Sequence, residues 1–145
     1  MNLKNFVSVK QMAQEDFWEL METAKNLKQD LRSGKSHEVL PGKTLGMVFL
    51  KPSLRTRVSF EVGMTHMGGH AIYLGPDDIK LGERETTEDI GIVLSRYVDG
   101  IMARVFEHEI IQELSEHASV PVVNGLTDFL HPCQALADFF TIYES

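Results

Sequence analysis

The 145-residue sequence holds a single cysteine, Cys133, so no internal disulfide can staple it, and this usage fits a reducing, cytoplasmic setting. No apolar run approaches the length of a membrane span, and the first residues, MNLKNFVSVK, lack the apolar core of a secretory signal. Positive charge is scarce: 14 Lys and Arg stand against 21 Asp and Glu, a formal net charge of -7. Nucleic-acid binding needs clustered basic surface, so that class of partner is excluded. An anion bound here must be held by local arginines against an unfavourable overall field, which favours a small anion over a polyanion. Internal repeats, low-complexity tracts and linkers are also absent. The remaining balance, 43% hydrophobic and 24% charged, is ordinary for one globular domain with a real core.

Hydrophobic spacing supplies the elements. Phe17, Leu20, Met21, Ala24, Leu27 and Leu31 recur at helical intervals and predict an amphipathic helix over Glu15 to Leu31, with Trp18 packing near its apolar face. TLGMVFL (Thr44 to Leu50) reads as a buried strand, and Val58 to Met67 as a helix stopped by Gly68-Gly69. HAIYLG (His70 to Gly75) is a second strand. GPDDIKLGERET reads as a polar loop, after which Thr86 or Thr87 caps a helix running to about Tyr97. GIMARV (Gly100 to Val105) is a third strand, Glu107 to Ala118 a helix, VPVVN (Val120 to Asn124) a fourth strand, and Pro132 starts a last helix. Strands alternating with helices predict an α/β fold: a three-layer sandwich with a central parallel four-stranded sheet and helices on both faces. In such sheets ligands bind beyond the carboxyl ends of the strands.

Three of those ends carry chemistry. The first opens onto KPSLRTRVSFE, where Ser53, Arg55, Thr56 and Arg57 meet a helix start. A helix start offers unpaired N–H groups and a positive dipole end, Ser53 and Thr56 add hydroxyl donors, and Arg55 adds a guanidinium fork matched to phosphate. The nucleotide-binding pattern GxxxxGK[ST] is missing, which suggests a small phosphate compound. The competing reading is a Ser/Thr helix cap beside solvated arginines. The third strand ends on Arg104, an expensive core residue but a well-placed anion ligand; the alternative is a strand-end pair with Glu107. The fourth leads through NGLTDFL to His131-Pro132-Cys133-Gln134. Proline at the first helical position places His131 near the N-cap and Gln134 within the first turn, so both side chains can reach one site. There the imidazole can polarise a carbonyl and the glutamine amide can grip a carboxamide-like group; otherwise they are a cap and a surface residue. Cys133 reads as a small buried residue rather than a nucleophile. His66 and His70 have the spacing of metal ligands on a helix, but Gly68-Gly69 breaks that helix between them. His37, His108 and His117 read as exposed polar positions.

FLKPSLRTRVSFE, DGIMARV and NGLTDFLHPCQALAD, in that order and spacing, resemble the aspartate/ornithine carbamoyltransferase family, and within it the ornithine-using branch. The resemblance covers essentially the whole chain, but only the family's amino-terminal, carbamoyl-phosphate-binding half. It implies that residues 1–145 form that domain, that a second α/β domain binding the amino-acid acceptor lies outside this sequence, and that the chain ends within the first interdomain helix. By resemblance, Ser53, Leu54, Arg55 and Thr56 form the phosphate loop, Arg104 bridges phosphate and carbamoyl oxygen, and His131 and Gln134 hold the carbamoyl group. Thr56, Arg104 and His131 would stabilise the developing oxyanion as an amine attacks the carbamoyl carbon. The family chemistry implies no cofactor and no metal. It implies a homotrimer in which the DDIKLGE loop, through Lys80, reaches a neighbouring subunit's site; the alternative for Lys80 is a solvated loop lysine. Arg57 and Glu61 belong to the motif but can equally form a structural (i, i+4) ion pair. Leu54 departs from the family's usual Ser-Thr-Arg-Thr loop: a main-chain contact survives that change and a hydroxyl contact does not. Leucine there also occurs in some relatives that use modified acceptors.

Overall fold

The computed structural model describes residues 3–80 and 85–145; the end of the DDIKLGE loop, residues 81–83, and the residue after it lie outside the described residues. In chain order the elements are α1 (Gln14–Arg32), β1 (Thr44–Phe49), α2 (Leu54–His66), β2 (His70–Leu74), the single turn α3 (Pro76–Ile79), α4 (Thr87–Leu94), β3 (Gly100–Arg104), α5 (His108–His117), β4 (Val122–Leu126) and α6 (Pro132–Glu144). The four strands form one all-parallel sheet in the order β2-β1-β3-β4, as the alternating pattern predicts.

Period-two alternation along the central strands divides the core. Val48, Ile101 and Ala103 face Ile90 of α4 and Ile111 and Leu114 of α5. Met47, Phe49 and Met102 face the other way, against Phe60 of α2. Residues 46–49 of β1 are all buried, so this strand has no polar face at all, as expected of a parallel strand covered on both sides. On the outer side, α1 and α6 meet through edge-to-face aromatic pairs such as Phe17 with Phe139, whose ring centroids are 5.6 Å apart.

Connectivity places the site. From β1 the chain steps outward to β2, then returns past β1 to β3 and β4. The connections leaving β1 and β3 therefore run in opposite directions, and a crevice opens between their carboxyl ends. Phe49 pairs with Arg104 in register, so the last residue of β3 sits beside the last residue of β1.

Several boundaries differ from expectation, each for a local reason. Helix α2 begins at Leu54, four residues before the expected Val58, because Ser53 caps it: its hydroxyl accepts from Thr56 N at 3.3 Å. The motif arginines therefore lie inside the helix rather than before it. Thr86 caps α4, but the helix stops at Leu94, where the Ser95 hydroxyl donates back to Gly91 O at 2.6 Å. Strand β4 starts two residues late because Pro121 has no N–H to give a ladder. The expected polar loop contains α3, whose Asp78 carboxylate accepts from Gly75 N at 2.8 Å, and which ends on Lys80 in the left-handed region at φ 49.

Two features of β4 have no counterpart in the sequence reading. Opposite the β3–β4 ladder, Phe6 forms a parallel bridge to Val123, with Phe6 N donating to Val122 O and Asn124 N to Phe6 O, each at 2.8 Å. Within the ladder, Ala103 pairs with Asn124 but Arg104 with Leu126, which leaves Gly125 as a bulge. A Cβ at Gly125 would lie 2.5 Å from Met102 Sδ and 3.2 Å from Ala103 O, so only glycine lets the two backbones approach this closely.

Candidate functional site

The cap of α2 is also a hub of donors. Ser53 Oγ lies 3.1 Å from Thr56 Oγ1 while accepting from Thr56 N, and Thr56 is buried. Arg104, reaching from the end of β3, donates from Nη1 to Thr56 Oγ1 at 3.2 Å. Its Nε is buried without a hydrogen-bond partner, and Arg104 makes no ion pair with Glu107 among the described residues. Burial, and then the neighbouring Arg55 charge, pull the Arg104 guanidinium below its usual range. A buried guanidinium N–H with no acceptor, beside a second arginine, is a costly arrangement that a bound anion would relieve. Arg55 itself is exposed in the first turn of α2, and Leu54, 77% exposed, can offer that turn only its main chain.

From the other side comes α6. His131 is its N-cap, with φ -130 and ψ 73, and the ring Nδ1 accepts from Gln134 N at 3.4 Å. In the neutral ring that leaves the proton on Nε2, a donor free to meet an oxygen. Burial, then the Arg104 charge, hold the imidazole below its ordinary pKa, with Asp138 pulling weakly the other way. The neutral form is thereby favoured. Gln134 is exposed and its Nε2 donates to Asp138 Oδ1 at 2.9 Å.

Arg55, Thr56, Gly125, His131 and Gln134 line one cleft of about 210 Å³ at this crevice, and Ser53 and Arg104 join it through Thr56. The carboxyl ends of β1, β3 and β4 thus bring together the side chains singled out in the sequence. Lys80 is not among the lining residues; it lies exposed at the end of α3. A larger hollow of about 280 Å³ at the amino edge of the sheet, lined by Leu40, Met64 and the Lys43–Asp99 pair, has no convergent donors and is the weaker candidate.

Other groups have structural roles. Cys133 also lines the cleft, but its Sγ donates to Asn124 O at 3.3 Å and burial pushes the thiol up to about 11, so it is a poor nucleophile. Arg57 pairs with Glu61 at 3.3 Å and places its guanidinium 4.1 Å from the Tyr73 ring centre, tying α2 to β2. His66 lies edge-on to His37, with ring centroids 6.5 Å apart. His108 is half-buried rather than exposed, with Nδ1 3.0 Å from Thr127 Oγ1, and His37 is half-buried too. Lys51 was not singled out in the sequence. Its Nζ meets Asp128 Oδ1 at 3.1 Å and lies 5.2 Å from the Phe106 ring centre, linking the loops after β1, β3 and β4. Gly125 and Asp138 also escaped sequence reasoning. The NG pair was a usable signal for the first, and the (i, i+4) spacing of Gln134 and Asp138 for the second.

Comparison with known proteins agrees with this geometry. The family model described as "Aspartate/ornithine carbamoyltransferase, carbamoyl-P binding domain" matches residues 4–144. An ornithine carbamoyltransferase from Pyrococcus abyssi is 59% identical over 130 residues, covering 90% of this chain and 41% of that protein. The structure of ornithine carbamoyltransferase from Pyrococcus furiosus superposes with a TM-score of 0.95 at 53% identity, over 97% of this chain and 45% of that one. The catalytic subunit of M. jannaschii aspartate transcarbamoylase gives a TM-score of 0.89 at 32% identity, over 98% and 47%. The chain therefore spans a little under half the length of the relatives it matches, and over that span it belongs to the aspartate/ornithine carbamoyltransferase family, as its carbamoyl-phosphate-binding domain.

Proposed function

We infer that this chain is the carbamoyl-phosphate half-site of an ornithine carbamoyltransferase. The observation that carries the reading is the buried Arg104 Nε, without a hydrogen-bond partner among the described residues, on a guanidinium whose Nη1 donates to Thr56, a residue that lines one cleft with His131. In this reading the phosphate sits on the first turn of α2, on the Ser53 and Thr56 hydroxyls, the main-chain N–H groups of that turn and the Arg55 guanidinium. Arg104 spans phosphate and carbamoyl oxygen, His131 Nε2–H donates to that oxygen, and Gln134 holds the carbamoyl nitrogen. The acceptor amine's lone pair attacks the carbamoyl carbon and the carbonyl electrons move onto oxygen; as the tetrahedral intermediate collapses, the C–O bond to phosphate breaks and the amine's surplus proton passes to the departing phosphate oxygen. Thr56, Arg104 and His131 bear the charge that develops on that oxygen, while Arg55 and Arg104 bear the charge of the departing phosphate. These groups perform the reaction without a covalent intermediate on the protein.

Ornithine is favoured over aspartate as acceptor because the relatives sharing about half or more of the sequence are named ornithine carbamoyltransferases, whereas the aspartate enzyme shares 32%. The acceptor would be bound by a second domain beyond residues 1–145. Assembly into a homotrimer, with Lys80 entering a neighbour's cleft, completes the reading; its exposure and left-handed backbone at the end of α3 are compatible with that reach. Among the described residues no helix is long and apolar enough to cross a membrane, and the lone thiol suits the cytoplasm. Calorimetric titration with carbamoyl phosphate, beside a citrulline assay on the same sample, tests the proposal. Saturable, salt-sensitive binding without turnover is expected. No binding at millimolar ligand would refute the site, and citrulline formed at the rate of a two-domain enzyme would refute the half-site.

A further inference from the structure

A glutamine amide can face its surroundings either way round, and the two ways present opposite chemistry. Turned one way, Gln134 would offer the cleft N–H donors; turned the other, a carbonyl acceptor. Here the choice is made by Asp138, one turn further along α6, whose Oδ1 accepts from Gln134 Nε2 at 2.9 Å. A carboxylate only accepts, so the reversed amide would set two acceptors against each other. The ion–amide contact thus leaves Oε1 as the acceptor that Gln134 can present to an occupant of the cleft it lines. Across the cleft the groups are donors: the Arg55 guanidinium, the Arg104 guanidinium through Thr56, and the Nε2–H of His131. An occupant needs acceptor oxygens toward those groups and an N–H toward Gln134.

We propose that Asp138 is a specificity-determining residue: by fixing the Gln134 amide, it makes the cleft select an acyl phosphate bearing N–H on its acyl carbon over one bearing a methyl group. It is a positioning residue, acting through Gln134 without touching the ligand. The proposal rests on the reading that the cleft takes carbamoyl phosphate, and the experiment separates the two. The chain and its Asp138→Leu and Asp138→Glu variants are titrated calorimetrically with carbamoyl phosphate, acetyl phosphate and inorganic phosphate, with circular dichroism to verify folding. The unsubstituted chain should prefer carbamoyl over acetyl phosphate by roughly tenfold, the scale of one well-aligned hydrogen bond. Asp138→Leu should cut that ratio to within about twofold, and Asp138→Glu, which keeps a carboxylate in reach, should restore most of it. The ratio is the diagnostic because loss of helix stability or of one negative charge shifts both affinities together. An unchanged ratio in Asp138→Leu, or equal losses for both acyl phosphates, overturns the role of Asp138 while leaving the phosphate site standing. Failure of the unsubstituted chain to bind any of the three overturns the reading beneath it as well.

Discussion

Arg104 and Thr56, 48 residues apart, are joined by a 3.2 Å hydrogen bond that fastens the end of β3 to the first turn of α2. Because Thr56 Oγ1 also meets Ser53 Oγ, one hydroxyl couples an arginine from one strand end to a helix cap at the next. Removing the guanidinium while keeping its bulk isolates its contribution. Arg104→Met should fold, and should weaken carbamoyl phosphate binding by about 10- to 100-fold, the loss expected for one or two charge-assisted hydrogen bonds. Calorimetric titration checks this; an affinity within twofold of the parent would mean that the guanidinium does not face the anion.

Ser53 has two separable roles. Ser53→Ala removes the cap of α2 and should cost about 1 kcal/mol of stability, seen as a lower midpoint in denaturant. Ser53→Asp should keep the cap, since aspartate caps as well as serine, yet place a negative charge where phosphate would sit. The expected result is stability close to the parent with anion binding lost. If both variants bind phosphate normally, Ser53 is a cap and nothing more.

His131 predicts a pH dependence of definite sign. Burial and then Arg104 hold its folded-state pKa below the ordinary value near 6.5, so the unfolded chain binds more protons between the two values. The neutral ring's contribution to stability is fully present above about pH 6.5 and declines as pH falls through the window below it. Equilibrium denaturation at several pH values should show this slope, and His131→Gln should flatten it. An NMR titration midpoint for His131 above 6.5 would contradict the prediction.

The bulge at Gly125 leaves no room for a side chain. A Cβ there would press on Met102 Sδ at 2.5 Å and on a backbone carbonyl at 3.2 Å. Met102 is fully buried and can yield only by pressing on packed neighbours, so Gly125→Ala should destabilise by about 1–3 kcal/mol, the cost of overpacking a filled core. Thermal unfolding reads this directly, and a melting temperature equal to the parent's would show that the bulge relaxes freely.

The thiol of Cys133 should be inert. With its pKa pushed up to about 11, only about one molecule in a thousand carries the thiolate at pH 8. Alkylation of the native chain at that pH should therefore run far slower than alkylation of the denatured chain, and Cys133→Ala should bind carbamoyl phosphate nearly as tightly as the parent. Rapid native alkylation would mean that the sulfur is more open and more acidic than this packing allows.

The parallel sheet was legible because apolar strands such as TLGMVF and GIMAR alternate with helical segments, a pattern that calls for crossover connections and a sheet covered on both faces. Helix α2 was harder to place. Its apolar residues are spread around the axis, with Val58 and Val62 half exposed and Phe60 and Met64 turned inward, so periodicity marked neither its start nor its buried face. The cap at Ser53 was the better guide, and weight on that residue would have set the boundary correctly. Arg104, His131 and Gln134 could be nominated from strand ends alone. Their convergence was expected from the rule that ligands sit beyond strand carboxyl ends, but the contacts that produce it depend on strand order and on the pairing of Phe49 with Arg104, which no local pattern records. The orphaned Arg104 Nε and the Asp138 contact are likewise facts of three dimensions.

The bridge between Phe6 and Val123 has a consequence for the order of events in folding. Asn5 and Val7 bond to partners 117 residues further along the chain, so a segment synthesised early can close its contacts only after β4 exists. At ordinary rates of translation, roughly 5–20 residues per second, that is a wait of several seconds. A loop of this length also carries a closure entropy that must be met before the contact returns anything, which makes such pairings late and slow. Once β4 has formed, and until the Phe6 segment docks, its outer edge would present unpaired N–H and C=O groups to any passing strand. The residues around Phe6 thus act as a clasp that is made first and fastened last, and deleting them would leave the finished sheet with the open edge that its nascent form has only in passing.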